Sequence, residues 1–320
     1  MNNTKNFSRR DFVKLSAMAG VALPLMGFEQ YNSNSFSNSP GNLEVHLFSK
    51  HLQFLNYNDM SEVAAEMGFN GLDLTVRPKG HVLPSKVDED LPKAVMAMKK
   101  YGLTSRMMTT NVVDVENKEQ RTVLETASKL GITYYRTGWL TYPEDRAISE
   151  SQDMYGQQFS NLEEFNKELG LIGCYQNHAG NHVGAPIWDL PPILEATKNM
   201  HMGCQYDIRH AVVEGGSSWE LGLRLIQPFI KSIVIKDFKW GVVNGKWKPV
   251  NTPLGEGMVD FDRYFSLLKK FKVKVPVSLH LEYGLGGAEH GASTITIDKN
   301  AISLIGSLPI MFVRHIEFCH

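Results

Sequence analysis

The sequence predicts one (β/α)8 TIM barrel of the α/β class. Three observations carry this expectation. Between Leu43 and Glu282, apolar strand-like runs alternate with amphipathic helix-like runs at a spacing of roughly thirty residues. Four junctions share one punctuation, helix-Gly-apolar strand: Met67-Gly68-Phe69, Tyr101-Gly102-Leu103, Leu130-Gly131-Ile132 and Leu169-Gly170-Leu171. Four late strand-like segments each end in residues that can move a proton or bind a cation. Such alternation implies parallel strands with right-handed crossovers, and about eight units close into a barrel with its site at the C-terminal rim. An open doubly wound sheet is the alternative, but no Gly-x-Gly-x-x-Gly follows an early strand.

The chain opens with Ser8-Arg9-Arg10-Asp11-Phe12-Val13-Lys14, which resembles a twin-arginine export signal. The apolar stretch Leu15–Phe28 follows, interrupted by Gly20, Pro24 and Gly27, and is too short and broken for a spanning helix. Residues 1–28 are therefore read as the signal, residues 29–42 as an Asn/Ser-rich linker and residues 43–320 as the barrel. This implies the twin-arginine translocation machinery as a partner and a periplasmic location. No clean small-x-small cleavage site follows, so a membrane tether through an uncleaved signal stays open.

Strands are expected at Leu43–Phe48, Gly71–Arg77, Leu103–Thr110, Ile132–Thr137, Leu171–His178, Met202–Ile208, Ile230–Lys236 and Val275–Glu282. Helices are expected at Asn58–Met67, capped by Asn58 or Asp59, then at Asp88–Tyr101, Asn117–Leu130 and Glu150–Leu169. Leu190–Asn199, Ser217–Ile226 and Asp260–Phe271 follow in the second half. Between the seventh strand and its helix lies a long loop containing Trp240, Gly245, Trp247 and Gly255-Glu256-Gly257. An eighth helix at Thr294–Ile305 is broken by Gly306 and Pro309, and the tail Met311–His320 has no evident partner face.

Side chains alternate along a strand, so each segment divides into two faces. Leu72, Leu74 and Val76 should meet the helices, while Asp73, Thr75 and Arg77 face the barrel interior. By the same rule Gln176 and His178 share a face, as do Asp207 and Arg209, and His280 and Glu282. His46 and Phe48 end the first strand and Arg136 the fourth. Arg77, Arg136 and His46 are candidate substrate contacts, although both arginines could instead be buried partners of Asp73 or of a loop acid.

The totals exclude some classes. A formal net charge of -1 and no long Lys/Arg run argue against a nucleic-acid partner. The three cysteines, Cys174, Cys204 and Cys319, have no zinc or disulfide spacing, and the first two are expected as buried thiols.

Five segments together are similar to the xylose isomerase-like TIM barrels, a group of sugar isomerases and epimerases that also includes endonuclease IV-type enzymes. They are Gln176-Asn177-His178, Asp207-Ile208-Arg209-His210, Ile235-Lys236-Asp237, Pro253-Leu254-Gly255-Glu256-Gly257 and His280-Leu281-Glu282-Tyr283. The resemblance implies a divalent metal (Mn, Zn, Co or Mg) held by a Glu, an Asp, a His and a Glu on strands five to eight. Asp207 and Glu282 match that pattern. Gln176 stands at the first position and Val234 at the third, and His178 or His280 could fill the vacancy. The implied chemistry is proton abstraction beside a carbonyl of a small carbohydrate. Glu282 would serve as ligand or base, His210 would touch a substrate oxygen, and Lys236 would stabilise an enolate or act as base. Lys236 could equally pair with Asp237 or Asp207. Isomerisation or epimerisation is the implied reaction. Keto-sugar elimination or hydration, a non-catalytic sugar-binding barrel and an endonuclease are the rivals, and a homo-oligomer is compatible with any of them.

Overall fold

The computed structural model describes residues 43–297 and 309–313. The export-signal segment, the linker and residues 298–305 of the anticipated eighth helix lie outside the described residues. Eight parallel strands close into a barrel. They are β1 (Val45–Phe48), β2 (Gly71–Val76), β3 (Thr104–Thr110), β4 (Tyr134–Arg136), β5 (Ile172–Gln176), β6 (Met202–Asp207), β7 (Ile230–Ile235) and, after a hairpin of β8 (Asp237–Val243) and β9 (Lys246–Thr252), β10 (Val277–Leu279). Strand β10 pairs with both β7 and β1, which completes the cylinder.

The helices are α1 (Tyr57–Glu66), α2 (Val87–Lys100), α3 (Lys118–Lys129), α4 (Ile148–Leu169), α5 (Leu190–Leu194), α6 (Ile208–Gly215), α7 (Trp219–Ile226) and α8 (Phe261–Lys270). Their apolar faces pack on the outward side chains of the strands, among them Leu72, Leu74 and Val76, all nearly inaccessible to water. The shared helix-Gly-strand junctions have a steric basis: Gly68, Gly102, Gly131 and Gly170 all have φ between 68° and 88°. Only glycine takes that left-handed turn without strain. Cys174 and Cys204 are buried free thiols.

Several boundaries differ from expectation. Helix α1 is capped by Asn56, whose side chain accepts from the backbone N–H groups of Asn58 and Asp59, each at 3.0 Å. Helix α5 has five residues, not ten. Residues 294–297 are not helical, whereas 309–313 form a helical turn that buries Ile310 and Val313.

Two differences bear on function. Strand β6 ends at Asp207, and a helix starts at Ile208. The Asp207 carboxylate accepts from the His210 backbone N–H at 3.2 Å, as an N-cap does. Strand alternation therefore stops at Asp207, and the predicted shared face of Asp207 and Arg209 is replaced by the helical pairing of Asp207 with His210.

The long loop after β7 contains an antiparallel hairpin, β8 (Asp237–Val243) and β9 (Lys246–Thr252). Its turn is Asn244-Gly245, with φ of 52° and 75°. That dipeptide at positive φ gives a two-residue turn the right-handed twist of its strands.

The hairpin and the loop after it are tied to the barrel by one buried carboxylate. Asp237 accepts backbone N–H bonds from Phe238 at 2.8 Å, Gly255 at 3.0 Å, Gly257 at 2.9 Å and Val259 at 3.2 Å. A Cβ on Gly257 would lie 2.1 Å from the Asp237 Oδ1 atom, so residue 257 must be glycine for the loop to close on it. Replacing Asp237 by Ala should leave these buried donors unpaired. Urea denaturation should show a loss of about 3 kcal/mol or more. A loss below about 1 kcal/mol would mean that the loop is held by something else.

Candidate active site at the barrel mouth

The polar interior climbs the barrel in steps. At its base, His46 is fully buried, with its Nε2 atom 3.2 Å from Thr104 Oγ1 and 3.4 Å from Glu44 Oε1. That places it away from the mouth and corrects its assignment as a substrate contact. It was drawn there because it lies near the end of a short strand. Above it, Asp73 accepts from Thr109 at 2.9 Å and from Ser278 at 2.6 Å, across the barrel interior. Asp73 is therefore satisfied by hydroxyls rather than by a salt bridge to Arg77 or Arg136.

The next layer is a relay of side chains. Arg136 pairs in register with Cys174, and its guanidinium reaches two residues further along β5 to Gln176. Gln176 pairs with Gln205 and likewise reaches two residues on, to Asp207. The Arg136 Nη1 atom donates to Gln176 Oε1 at 2.9 Å, and Gln176 Nε2 donates to Asp207 Oδ2 at 2.7 Å. The amide orientation is forced, because a guanidinium can only donate.

Lys236 ends this relay. Its Nζ atom lies 3.2 Å from Asp207 Oδ2, 3.2 Å from Glu282 Oε2 and 2.8 Å from His210 Nε2. Its side chain is only 3% exposed, so these contacts are made out of bulk water. Glu282 is held on its other oxygen by Lys50 at 2.8 Å. Burial would raise the Glu282 pKa. Lys236 and its other charged and hydrogen-bonding neighbours outweigh that and hold it well below the usual carboxylate range.

The histidines around this pair are neutral at pH 7. Burial and the Lys236 charge pull His178 down to about 4 and His210 well below its usual value. Burial alone is the largest cause at His280, which falls to about 3. The His178 Nδ1 atom lies 2.9 Å from the Ala179 carbonyl, so it carries the proton and leaves Nε2 as an acceptor. His210 is flanked by Lys236 on one ring nitrogen and by Arg209 on the other, at 3.0 Å. A guanidinium can only donate, so Nδ1 accepts from Arg209 and the neutral ring carries its proton on Nε2, the nitrogen that faces Lys236.

A cavity of about 190 Å³ opens above these groups. Gln176, His178, Lys236, His280 and Glu282 line one side, and Phe48, Lys50, Arg77, Arg136 and Trp139 complete it. The structure thus brings together Arg77, Arg136, Gln176, His178, Lys236, His280 and Glu282. Asp207 and His210 lie one contact behind, against Lys236. Lys50 was missed by the sequence reading. The signal was available: it stands two residues beyond Phe48, in the 3-10 helix Ser49–Leu52 that leaves the C-terminal end of β1. Trp139, on the loop after β4, is the one tryptophan in the cavity lining.

The metal implied by the resemblance can be tested against these contacts. An ion bridging Asp207 and Glu282 would need the position that the Lys236 ammonium takes. Gln176 turns its amide N–H, not its carbonyl, toward Asp207. Val234, level with Asp207 in the ladder, offers no donor atom. Among the described residues no group of three or more His, Cys, Asp or Glu is arranged to hold an ion. The residues as placed do not fit a divalent cation.

Residues 61–296 match the family described as the xylose isomerase-like TIM barrel. No curated protein matches the chain. Among solved structures it is similar to a xylose isomerase-like TIM barrel protein from Mycobacterium smegmatis in complex with magnesium. The TM-score there is 0.65 at 13% identity, covering 88% of this chain and 98% of that one. It is also similar to D-allulose 3-epimerase from Methylomonas sp., with TM-score 0.63, 13% identity and coverage of 87% and 99%. A third is 3-keto-D-glucoside 4-epimerase from E. coli, with TM-score 0.59, 14% identity and coverage of 86% and 100%. At these identities the likeness is one of fold.

The buried histidines make stability depend on pH. His178 and His81 are held at about 4 and His280 at about 3, each mainly by burial. The unfolded chain takes up protons as pH falls through about 6.5, whereas the folded chain resists until near pH 4 or below. Stability is therefore full above pH 6.5 and is lost as pH falls toward 4. Each of these histidines should cost up to about 2 kcal/mol between pH 6.5 and 5. Urea unfolding at pH 7 and pH 5 should show a drop of several kcal/mol. Equal midpoints and slopes would contradict the neutral, buried assignment.

Proposed function

The chain belongs to the xylose isomerase-like TIM barrel family, and from that premise we propose that it is an enzyme of the sugar isomerase and epimerase type. It acts on a monosaccharide-sized carbonyl compound by moving a proton at the carbon beside the carbonyl. One observation carries this reading: Glu282 faces the cavity as an ionised carboxylate with an ammonium group on each oxygen. A proton acceptor and its oxyanion stabilisers are thereby placed side by side. The cavity volume, below the about 300 Å³ of typical drug-sized sites, favours a single sugar unit over a polymer.

In the proposed step the Glu282 carboxylate takes the carbon-bound proton, and the electron pair moves to the carbonyl oxygen. Lys236 and Lys50 face the negative charge that develops there. As that charge arrives, their hold on Glu282 weakens and its proton affinity rises, which favours the transfer. Return of the proton by Glu282 to the neighbouring carbon gives the isomer, and delivery of a solvent proton to the same carbon from the opposite face, with Glu282 losing its own to solvent, gives the epimer. His178, neutral with Nε2 free to accept, is placed to orient a substrate hydroxyl. His210 and Asp207 act behind the cavity by holding Lys236. Neighbours named as epimerases support the reaction class, and a proton-loss mechanism leaves elimination of a β-substituent as a variant with the same first step.

The divalent cation that the sequence resemblance implies is replaced in this proposal by Lys236. Export by the twin-arginine route belongs to the same reading and rests on the Ser8–Lys14 motif.

Two measurements test this. Incubating candidate aldoses and ketoses with the protein in D2O and following them by NMR should show deuterium at one carbon, and an eliminated product would appear in the same spectra. Glu282→Gln should slow that exchange by about 10²- to 10⁴-fold. Exchange that survives the substitution would remove Glu282 as the base. Separately, metal analysis of the wild-type protein after dialysis against Mn2+ should find well under one equivalent. Lys236→Ala frees Asp207, Glu282 and His210, so Mn2+ should raise the melting temperature of the variant but not of wild type. A stoichiometric ion in wild type, lost on Asp207→Ala, would defeat the lysine assignment.

A further inference from the structure

We propose that the substrate is an anionic sugar, a monosaccharide carrying a carboxylate such as a uronate or aldonate, and that Arg77 and Arg136 hold that carboxylate. The proposal deepens the reading above and rests on it for the location of the reacting carbon.

The charge balance of the cavity is the starting point. Lys50, Arg77, Arg136 and Lys236 line it, against Glu282 as the one lining carboxylate. Both lysines are already paired. Lys50 is bound to Glu282, and Lys236 is shared between Glu282 and Asp207. The arginines are not. Among the described residues, neither Arg77 nor Arg136 forms a salt bridge with a carboxylate. The nearest candidate acid below them, Asp73, spends its oxygens on Thr109 and Ser278.

What the arginines do contact leaves their forks free. The Arg77 guanidinium rests over Phe48, at 5.5 Å from the ring centroid, and makes no hydrogen bond among the described residues. Arg136 is 5% exposed and stacks over Trp139 at 4.4 Å. It gives one bond to the neutral amide of Gln176, and its Nε atom is buried without a partner. Aromatic faces position both groups without neutralising them. A buried guanidinium with unused donors is costly unless an anion arrives to take them. Burial and the nearby charge of Arg77 both disfavour the charged form of Arg136, so an incoming anion relieves both. The planar N–H fork matches a carboxylate in two parallel bonds. A carboxylate here places the rest of one sugar unit against Glu282 and Lys236 within the same 190 Å³.

Equilibrium binding to the full-length protein tests this without requiring turnover. Titration calorimetry compares D-glucuronate and D-gluconate with D-glucose and D-glucose 6-phosphate. At least one acid should bind about tenfold or more tightly than D-glucose, and added salt should weaken the acid alone. Arg77→Met and Arg136→Met should each weaken binding of the acid about tenfold or more beyond any change in D-glucose binding, so that most of the preference is lost. Arg77→Met breaks no side-chain hydrogen bond among the described residues, so it should fold even if Arg136→Met does not. Acids that bind no better than D-glucose, or a preference that survives Arg77→Met, would overturn the proposal. Tighter binding of the phosphate than of either acid would overturn the carboxylate in favour of phosphate. Acid binding without any exchange in D2O would leave this subsite standing and remove the proton-transfer reading. Exchange on neutral sugars with no acid preference would do the reverse.

Discussion

The buried ammonium of Lys236 is the contact on which the mouth of this barrel depends. Two carboxylates, the fully buried Asp207 and the cavity-facing Glu282, meet there, and like charges so placed repel unless a cation lies between them. Lys236 supplies it from the position just after β7, the strand that stands between β6 and β10 in the cylinder. The rest of the layer follows from that placement. Asp207 is free to cap α6 with one oxygen because the other is neutralised. Gln176 turns its amide toward Asp207 because Arg136 claims its carbonyl. Glu282 remains an anion in a buried setting because an ammonium sits at each of its oxygens.

Much of this was legible in the sequence because barrel architecture is periodic. Strand spacing, helix-stop glycines and chemistry at strand ends recur often enough to be read together, and all eight strands were anticipated near their observed positions. What failed was the extrapolation of one period past its end. Asp207 is the last residue of β6 and the cap of the next helix, so the alternation rule could not place Arg209. The hairpin β8–β9 was passed over because its outer face is largely solvent-exposed, with Trp247 70% exposed, and it lacks a buried apolar stripe. Its Asn244-Gly245 turn was the readable signal.

The site was only partly legible for a different reason. Strand position tells which side chains face inward, not how far they reach or what they meet. His46 faces inward but at the base, and Lys50 reaches the mouth from a single 3-10 turn, Ser49–Leu52, too short to show a period in the sequence. The pairing of Lys236 with Asp207 and Glu282, rather than with its sequence neighbour Asp237, depends on three chain segments at once. Charge counting along the sequence could not show it either. A near-zero net charge conceals a pocket in which cations outnumber acids.

Lys236 and Asp237 are consecutive, yet they face opposite duties. One side chain turns into the cavity, and the other turns to gather the rim segment 255–259. A single rigid peptide plane therefore gears the reaction centre to its surrounding wall. A displacement of that wall would travel through the Asp237 carboxylate and reach the ammonium within one residue. Loops of this barrel can thus be lengthened or recomposed beyond the hairpin tip at little cost, whereas inserting even one residue between positions 235 and 238 would misaim both groups together.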